Sequence, residues 1–235
     1  MSNGKTEQVQ QGMEEYLKKT YEKEFVVREP YLTGNEGLGY IYQTKAYPKG
    51  QPELEFFVEG DRSNTGAYID GYLQVLWTYQ GRQELEQALK QLYGSDFTVE
   101  KFEFRYNNPE YKDLKYSEVI KQCDGWAYIA ISYAVFMDNK IDKKIEAQKA
   151  HKLIKSFLID NKIKRYDLAI SFHPAELKDS ANNIANEINS HRKSLDDLYK
   201  EKKLINFIHI YDVALKENEI KKVYVDDIVK SFRFE

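Results

Sequence analysis

Several features that would narrow the function of this 235-residue chain are scarce or missing. Cys123 is the single cysteine, so an intramolecular disulfide is excluded. No apolar run approaches the roughly 20 residues that cross a bilayer, and the N-terminus lacks the apolar segment of a secretory signal. The sequence therefore predicts a chain that is soluble as written and needs no disulfide framework.

Motifs of common catalytic and metal sites are also missing. The chain contains no HExxH, paired CxxC, GxSxG, Walker or GxGxxG pattern. Its formal net charge of −3 argues against a nucleic-acid partner, because nucleic-acid-binding proteins usually carry a clear basic excess. We therefore predict no cofactor, no metal and no nucleic acid, and an enzyme is the less favoured interpretation.

What the chain does have is a globular composition rich in tyrosine. Hydrophobic residues make up 42% and charged residues 31%, with 19 Tyr against 12 Phe. This balance is typical of a folded core rather than of disorder. Tyrosine suits half-buried strands and surfaces where the ring is apolar and the hydroxyl is wet.

The first 110 residues predict an α+β domain with an antiparallel sheet and two helices. Residues 1–11 are polar and predict a flexible leader, and the first helix follows with an apolar stripe from Val9 to Tyr21. The segments "GLGYIYQTKAY" and "ELEFFVEG" alternate with a period of two and flank a turn-forming stretch. This pattern predicts an antiparallel strand pair.

The remainder of this domain predicts a second helix and a further strand. Helical spacing runs from Tyr68 to Tyr93; Gly81 is expected to break or bend this helix, and Gly94 to end it. In "FTVEKFEFRY" the alternation slips at Lys101, which predicts a β-bulge.

A polar segment at 107–113 marks the predicted boundary, and residues 111–235 form a second, α/β domain. Three apolar segments, "WAYIAISYAVFM", "RYDLAISFH" and "LINFIHIYDVAL", read as strands in a β-α-β-α-β-α order. Long crossovers between them predict mostly parallel strands. Apolar residues from Leu177 to Leu198 step by four and three and predict one long helix, and a last helix is expected over 217–232.

The parallel arrangement predicts one candidate catalytic edge. Asp138, His173 and Asp212 follow or end the three strands, and ligands of open α/β sheets bind beyond the carboxyl ends of the strands. A histidine between two carboxylates could act as a general base or bind a divalent metal. The alternative is that the two aspartates begin turns and that His173 simply precedes Pro174.

Two further groups of side chains are candidates for binding. Tyr68, Tyr72, Trp77 and Tyr79, with Asp70 among them, could form an aromatic platform for a sugar or peptide. The spacing of Tyr68, Tyr72 and Tyr79 also matches a helix stripe facing the core, which we favour. A lysine-rich region could rest against anionic lipid or wall polymer, with a solvated helix face as the favoured alternative. This region contains Lys140, Lys143, Lys144, Lys149, Lys152, Lys155, Lys162, Lys164 and Arg165.

The order of segments in the first half resembles a known kind of protein. After the start "MSNGK" come "MEEYLKKTYEKEFVV", "AYPKGQPELEFFVEGD" and "DGYLQVLWTYQGRQELEQALKQLYGSDFTVEKFEF". This order resembles that of uncharacterised Bacillus-type lipoproteins of the Gram-positive cell surface, in which a lipidated cysteine precedes a short polar tether. Met1 would stand where that cysteine lies, so the lipid anchor itself is absent here.

Three functional hypotheses follow from these observations. The resemblance implies an extracytoplasmic lipoprotein ectodomain on the outer face of the cell membrane, which we interpret as a non-enzymatic module that binds an envelope protein or wall component. The second hypothesis is a hydrolase or metal-dependent enzyme that uses the Asp138, His173 and Asp212 edge. The third is a cytoplasmic scaffold that self-associates through the helix between Leu177 and Leu198.

Overall fold

The computed structural model of the protein describes most of the chain, with short gaps. The described residues are 3–35, 39–62, 66–123, 127–138, 140–161, 163, 165–181, 183–184, 193–213 and 224–234. The labelled helices are α1 (Asn3–Tyr21), α2 (Tyr72–Tyr93), α3 (Tyr116–Val119), α4 (Lys143–Ile154), α5 (Leu195–Lys200) and α6 (Val225–Lys230). The strands are β1 (Phe25–Val27), β2 (Tyr31–Asn35), β3 (Gly39–Pro48), β4 (Phe56–Asp61), β5 (Tyr68–Asp70), β6 (Phe97–Arg105), β7 (Tyr128–Met137), β8 (Arg165–Pro174) and β9 (Asn206–Val213).

The protein is an α+β protein whose chain divides into two compact units. The first unit comprises Met1–Tyr79 and Asn107–Leu114, and the second comprises Gln80–Tyr106 and Lys115–Glu235. The division falls within α2, so the second half of α2 and all of β6 belong to the second unit. The sequence-based division at residues 110 and 111 differs at this point, because it places β6 in the N-terminal domain.

The first unit contains a five-stranded antiparallel sheet. Its strands follow the order β1-β3-β4-β5, and β2 also pairs with β3. β3 and β4 pair in antiparallel register, as the sequence predicts, and a short 3-10 helix over Pro52–Leu54 connects them. The predicted antiparallel strand pair is thus confirmed.

Helix α1 begins earlier than the sequence predicts. It starts at Asn3, so the expectation of a flexible leader through residue 11 is wrong for residues 3–11. The apolar stripe explains the difference, because Val9, Met13, Leu17 and Tyr21 are all at most 5% exposed and recur every four residues. Burial of Val9 on this face stabilises the first turns of the helix despite their polar composition.

The second unit contains a four-stranded mixed sheet in the order β6-β7-β8-β9. β6 is antiparallel to β7, β7 is parallel to β8, and β9 is antiparallel to β8. Of the three strands predicted to be mostly parallel, β7 and β8 are parallel as expected, whereas β9 is antiparallel to β8, so the prediction is wrong for β9. The predicted bulge is confirmed: Val99 pairs with Tyr133 and Lys101 with Ser132, which leaves Glu100 as the additional residue.

Helices α2, α3 and α4 lie over one face of this sheet. Phe102 of β6 contacts Tyr116 of α3 with ring centroids 5.7 Å apart. Tyr133 of β7 lies 6.3 Å from the ring of Tyr93 at the end of α2, and Lys149 of α4 lies over the Tyr93 ring at 4.4 Å. This helical layer provides the walls of the groove described below.

Gly81 does not interrupt α2, which is one helix from Tyr72 to Tyr93. A Cβ atom at residue 81 would lie 2.5 Å from the Phe102 ring and 3.0 Å from the Tyr116 ring. The glycine therefore allows two aromatic rings to approach the helix backbone. Gly94 does end the helix, as predicted: its φ is +64° and its N–H donates to the Lys90 carbonyl at 3.0 Å.

The long helix predicted from Leu177 to Leu198 does not continue through Ser194, and residues 182 and 185–192 of the prediction lie outside the described residues. A 3-10 helix covers Ala175–Ser180, and α5 begins after Ser194, whose φ and ψ of −79° and 162° are not helical. Ser194 caps α5, because its hydroxyl accepts the N–H of Asp197 at 3.1 Å. The last helix, predicted over 217–232, is α6, which starts at Val225; residues 214–223 lie outside the described residues.

Within the described ranges, none of the helices has the length and apolar character needed to cross a membrane.

Candidate functional site

The predicted catalytic edge is not assembled. Because β9 runs antiparallel to β8, Asp212 pairs with Tyr166 near the start of β8, whereas His173 pairs with Phe136 of β7 near the end of β8. Asp138 follows β7 and is exposed. The direction of β9 therefore separates Asp212 from His173 by most of the length of the strand.

His173 is part of the core and not an accessible base. It is 1% exposed, and its ring stacks on Phe136 with centroids 5.7 Å apart. Nδ1 lies 2.6 Å from the Lys203 carbonyl oxygen, so this nitrogen carries the proton and donates. Burial lowers the pKa of His173, while the hydrogen bond to Lys203 acts in the opposite direction. Across the described part of the chain, no three His, Cys, Asp or Glu side chains come together as metal ligands.

Most of the predicted aromatic platform lies in the core of the first unit. Tyr72 and Trp77 are 1% and 0% exposed, and Asp70 is 6% exposed; Tyr68 is half-buried. The Trp77 Nε1–H donates to the Leu114 carbonyl at 3.0 Å. The helix predicted from Tyr68 starts only at Tyr72, because Tyr68–Asp70 is strand β5. Tyr72 and Trp77 of α2 are core residues, as favoured, whereas Tyr79 of the predicted stripe is 38% exposed.

Asp70 is the centre of a buried hydrogen-bond network. Its carboxylate accepts the hydroxyl of Tyr16 at 2.8 Å and that of Tyr21 at 2.9 Å, together with the backbone N–H of Tyr72 at 2.9 Å. Burial raises the pKa values of Tyr16 and Tyr21 well above the usual range, and the negative charge of Asp70 raises both values further. The network joins α1, β5 and the start of α2, and it accounts structurally for a buried carboxylate.

Several lysines of the lysine-rich region form local interactions with different partners. Lys149 pairs with Glu146 at 2.8 Å and Lys155 with Asp160 at 2.8 Å, while Lys143 donates to the Phe234 carbonyl at 2.8 Å. Lys162 and Lys164 lie outside the described residues. A role for the region at a lipid or wall surface stays a prediction.

The strongest candidate site is a groove within the helical layer of the second unit. Its volume is about 410 Å³, which lies in the lower part of the range typical of small-ligand pockets. We call it the helical groove. It is lined by Glu84, Ala88, Gln91 and Leu92 of α2, by Tyr116, Ser117, Ile120 and Lys121 of α3 and the following turn, and by Lys152, Leu153, Ser156, Phe157 and Asn161 of α4 and its extension.

One residue beside the helical groove has a buried hydroxyl without a hydrogen-bond partner. Tyr116 is 1% exposed, and among the described residues its Oη has no partner. The Tyr116 backbone N–H donates to the Gln80 side chain at 2.8 Å, and its ring packs edge-on against Phe104 at 5.2 Å. The ring is thus fixed while its hydroxyl is unsatisfied, which is unusual for a buried polar group.

The rim of the helical groove is charged. Lys121 and Lys152 are exposed, and neither forms an ion pair within 4.0 Å with a described residue. Glu84 is also exposed as a residue, yet its carboxyl group is partly shielded; burial raises its pKa, and Lys121 acts in the opposite direction. Burial raises the pKa of Tyr116 strongly, and the Glu84 charge adds to this effect.

One wall of the groove is an irregular end of a helix. After Ile154, α4 continues as a π-helical turn over Lys155–Ile159, in which the Asp160 N–H donates to the Lys155 carbonyl at 2.9 Å. Asn161 caps this turn by donating its side-chain amide to the Ser156 carbonyl at 2.8 Å. π-helical turns occur frequently at functional sites.

Sequence reasoning missed this groove almost completely. Lys152 belonged to the lysine-rich region, but Glu84, Tyr116 and Lys121 had no distinguishing pattern. The three wall segments are far apart in the sequence and meet only through the packing of α2, α3 and α4. The closest local signal was Gly81, whose lack of a side chain allows Tyr116 to approach α2.

Comparisons with known proteins give little further information. No protein-family model matches the chain, and no curated protein matches it. The chain is similar to the crystal structure of a DUF5037 family protein from Ruminococcus gnavus ATCC 29149, with 14% sequence identity and a TM-score of 0.47 over 95% of this chain and 98% of that chain. At this identity and TM-score, the similarity supports no statement about the function of this protein.

Proposed function

We propose that this protein is a non-enzymatic binding module and that the helical groove holds a small ligand. The observation that carries the proposal is the groove itself, which has a volume of about 410 Å³ and is lined by apolar side chains together with a few polar and charged ones.

The composition of the groove supports binding rather than catalysis. Apolar side chains of Leu92, Ile120, Leu153 and Phe157 form much of the lining, as in pockets that enclose an apolar ligand and orient it with a few polar groups. Among the described residues, the lining includes one carboxylate, that of Glu84, and no histidine or cysteine. These groups suit recognition, and they lack the acid–base pair of a hydrolase.

A neutral fluorescent probe tests this proposal directly. N-phenyl-1-naphthylamine should bind the protein with a rise in fluorescence, and Ala88→Trp, which places an indole in the groove, should abolish most of that rise. The matched control is Ala175→Trp, because Ala175 is exposed and does not line the groove.

Thermal melts must show that both variants fold. Equal probe binding by the two tryptophan variants would contradict the proposal, as would the absence of binding to the wild-type protein.

We further propose that the module lies outside the cytoplasm, on the outer face of a Gram-positive cell membrane. The support is the resemblance to surface lipoproteins. Because α1 already begins at Asn3, a flexible tether no longer supports that resemblance. The remaining support is the order of the segments. The first thirty codons of the native gene and membrane fractionation test this location: a lipobox cysteine is expected, and a cytosolic protein would contradict it.

A further inference from the structure

We infer that two copies of this chain associate through one face of the five-stranded sheet, packed against the same face of the second copy. We call this surface the outer face. Its large apolar members are Val26, Tyr31, Phe57 and Ile69. The inference does not depend on the helical groove, because the groove lies in the second unit and this sheet lies in the first.

The opposite, inner face of the sheet is covered by helices of its own unit. Val27, Ala46 and Val58 lie on the inner face, and each is at most 4% exposed. The ring of Tyr72, at the start of α2, lies 5.4 Å from the ring of Phe56 on this side. Because successive residues of a strand point to opposite faces, the residues between these buried ones form the outer face.

The outer face exposes large apolar side chains on four of its strands. Val26 of β1, Tyr31 of β2, Phe57 of β4 and Ile69 of β5 are 37%, 50%, 47% and 71% exposed. The solvent side of an antiparallel sheet is normally polar. Single exposed apolar residues are ordinary, but several on one face mark an interaction surface.

The polar side chains of the outer face are already paired with one another. Glu55, which precedes β4, accepts hydrogen bonds from Arg28 at 2.5 Å and from Lys45 at 2.7 Å. The Gln43 side-chain amide donates to the Glu59 carboxylate at 2.7 Å. These groups keep their partners when water above them is displaced, which lowers the cost of covering the face. Paired charges of both signs also let a second copy approach without strong repulsion.

The size of the outer face fits a weak dimer. Strand β3 has ten residues, and the sheet is as wide as the strand order β1-β3-β4-β5. The face therefore measures at most about 33 Å by about 19 Å, or about 600 Å² per copy. Two copies bury up to about 1,200 Å², the lower end of the range for specific interfaces. Flat faces of this kind pack as two layers about 10 Å apart, and a two-fold contact uses the same face of both copies.

Sedimentation velocity from about 10 μM to about 1 mM tests the inference, since a dissociation constant in the range of about 10–100 μM is expected. Phe57→Asp and Ile69→Asp should each raise this constant about tenfold or more, because each places a charge in the contact. The matched control is Ile145→Asp, because Ile145 is 49% exposed on α4 and lies outside the outer face. It should dimerise like the wild type, and thermal melts must show that all three variants fold.

Three results would overturn the inference. The first is a wild-type protein that stays monomeric over the whole concentration range. The second is a dimer that neither outer-face variant weakens, or that Ile145→Asp weakens as much as they do. The third concerns a membrane as the occupant: a monomer that sediments with phosphatidylglycerol vesicles, and no longer does so after Ile69→Asp, assigns the outer face to a lipid surface.

Discussion

Tyr21 and Tyr116 are both buried, but their hydroxyl groups differ in hydrogen bonding. The Tyr21 hydroxyl donates to the Asp70 carboxylate at 2.9 Å, whereas the Tyr116 hydroxyl has no partner among the described residues. Each side chain is at most 5% exposed. Their burial is comparable, so replacing each by phenylalanine isolates the effect of the hydrogen bond.

We expect Tyr21→Phe to lower the free energy of unfolding by about 1.5–3 kcal/mol, because it removes a hydrogen bond to a charged group. Tyr116→Phe should leave this free energy within about 0.5 kcal/mol of the wild type or raise it, since an unsatisfied polar atom is removed. Urea unfolding followed by circular dichroism measures both values. A loss at Tyr116 as large as that at Tyr21 would mean that the Tyr116 hydroxyl has a partner in the folded protein.

His173 shows how one residue can look catalytic in sequence and be structural in the fold. A histidine at a strand end beside a proline suggested a position at a sheet edge. Its ring is instead enclosed, with Nδ1–H donated to the Lys203 carbonyl at 2.6 Å. No sequence pattern distinguishes these two environments, because both place histidine near the end of an apolar strand.

At the scale of elements, the packing of α2 against β6 and α3 depends on Gly81. In an exposed helix, Gly→Ala stabilises a protein by roughly 0.5–1 kcal/mol. Here the added methyl group would lie 2.5 Å from the Phe102 ring, so one of the two elements must move. Overpacking of this kind costs about 1–3 kcal/mol.

We therefore predict that Gly81→Ala lowers the free energy of unfolding by about 1–3 kcal/mol, reversing the sign expected from helix propensity. Combining it with Phe102→Leu should cost less than the sum of the two single changes, because the smaller side chain relieves the contact. Gln83→Ala, an exposed change in the same helix, serves as the control and should be near neutral. Stabilisation by Gly81→Ala would show that the close approach is not present.

At the scale of the whole molecule, the two units share α2. Tyr72 and Trp77 are buried in the first unit, and Leu85 and Leu89 are buried in the second. The predicted boundary at residues 110 and 111 cuts the chain between β6 and β7, which pair over eight positions of the mixed sheet. A chain divided there would lose a strand and both aromatic contacts of Tyr116 with β6.

We predict that fragments 1–110 and 111–235, expressed separately, do not fold cooperatively. The first would carry β6 without β7, and the second would expose the unpaired edge of β7 together with apolar side chains. Thermal unfolding followed by circular dichroism tests each fragment alone. Mixing the fragments is the control and should restore a cooperative transition. A cooperative transition in either isolated fragment would support the boundary drawn from the sequence.

The sequence by itself determined the elements whose signals are local. The four-residue repeat from Val9 to Tyr21 predicted the buried face of α1, alternation predicted β3 and β4, the slip at Lys101 predicted the bulge, and Gly94 predicted the end of α2. Each signal depends on neighbouring residues, because the periods of helices and strands relate side chains a few positions apart. Composition likewise indicated a folded, globular protein.

Only the tertiary structure decided the direction of β9 and the existence of the helical groove. The direction of β9 depends on how a distant segment of the chain reaches the edge of β8. Apolar alternation is the same in either direction and does not indicate it. That choice separated Asp212 from His173. The groove likewise needs Glu84, Tyr116 and Lys152 from three separate segments, and their proximity results from long-range packing, which a periodic pattern does not encode.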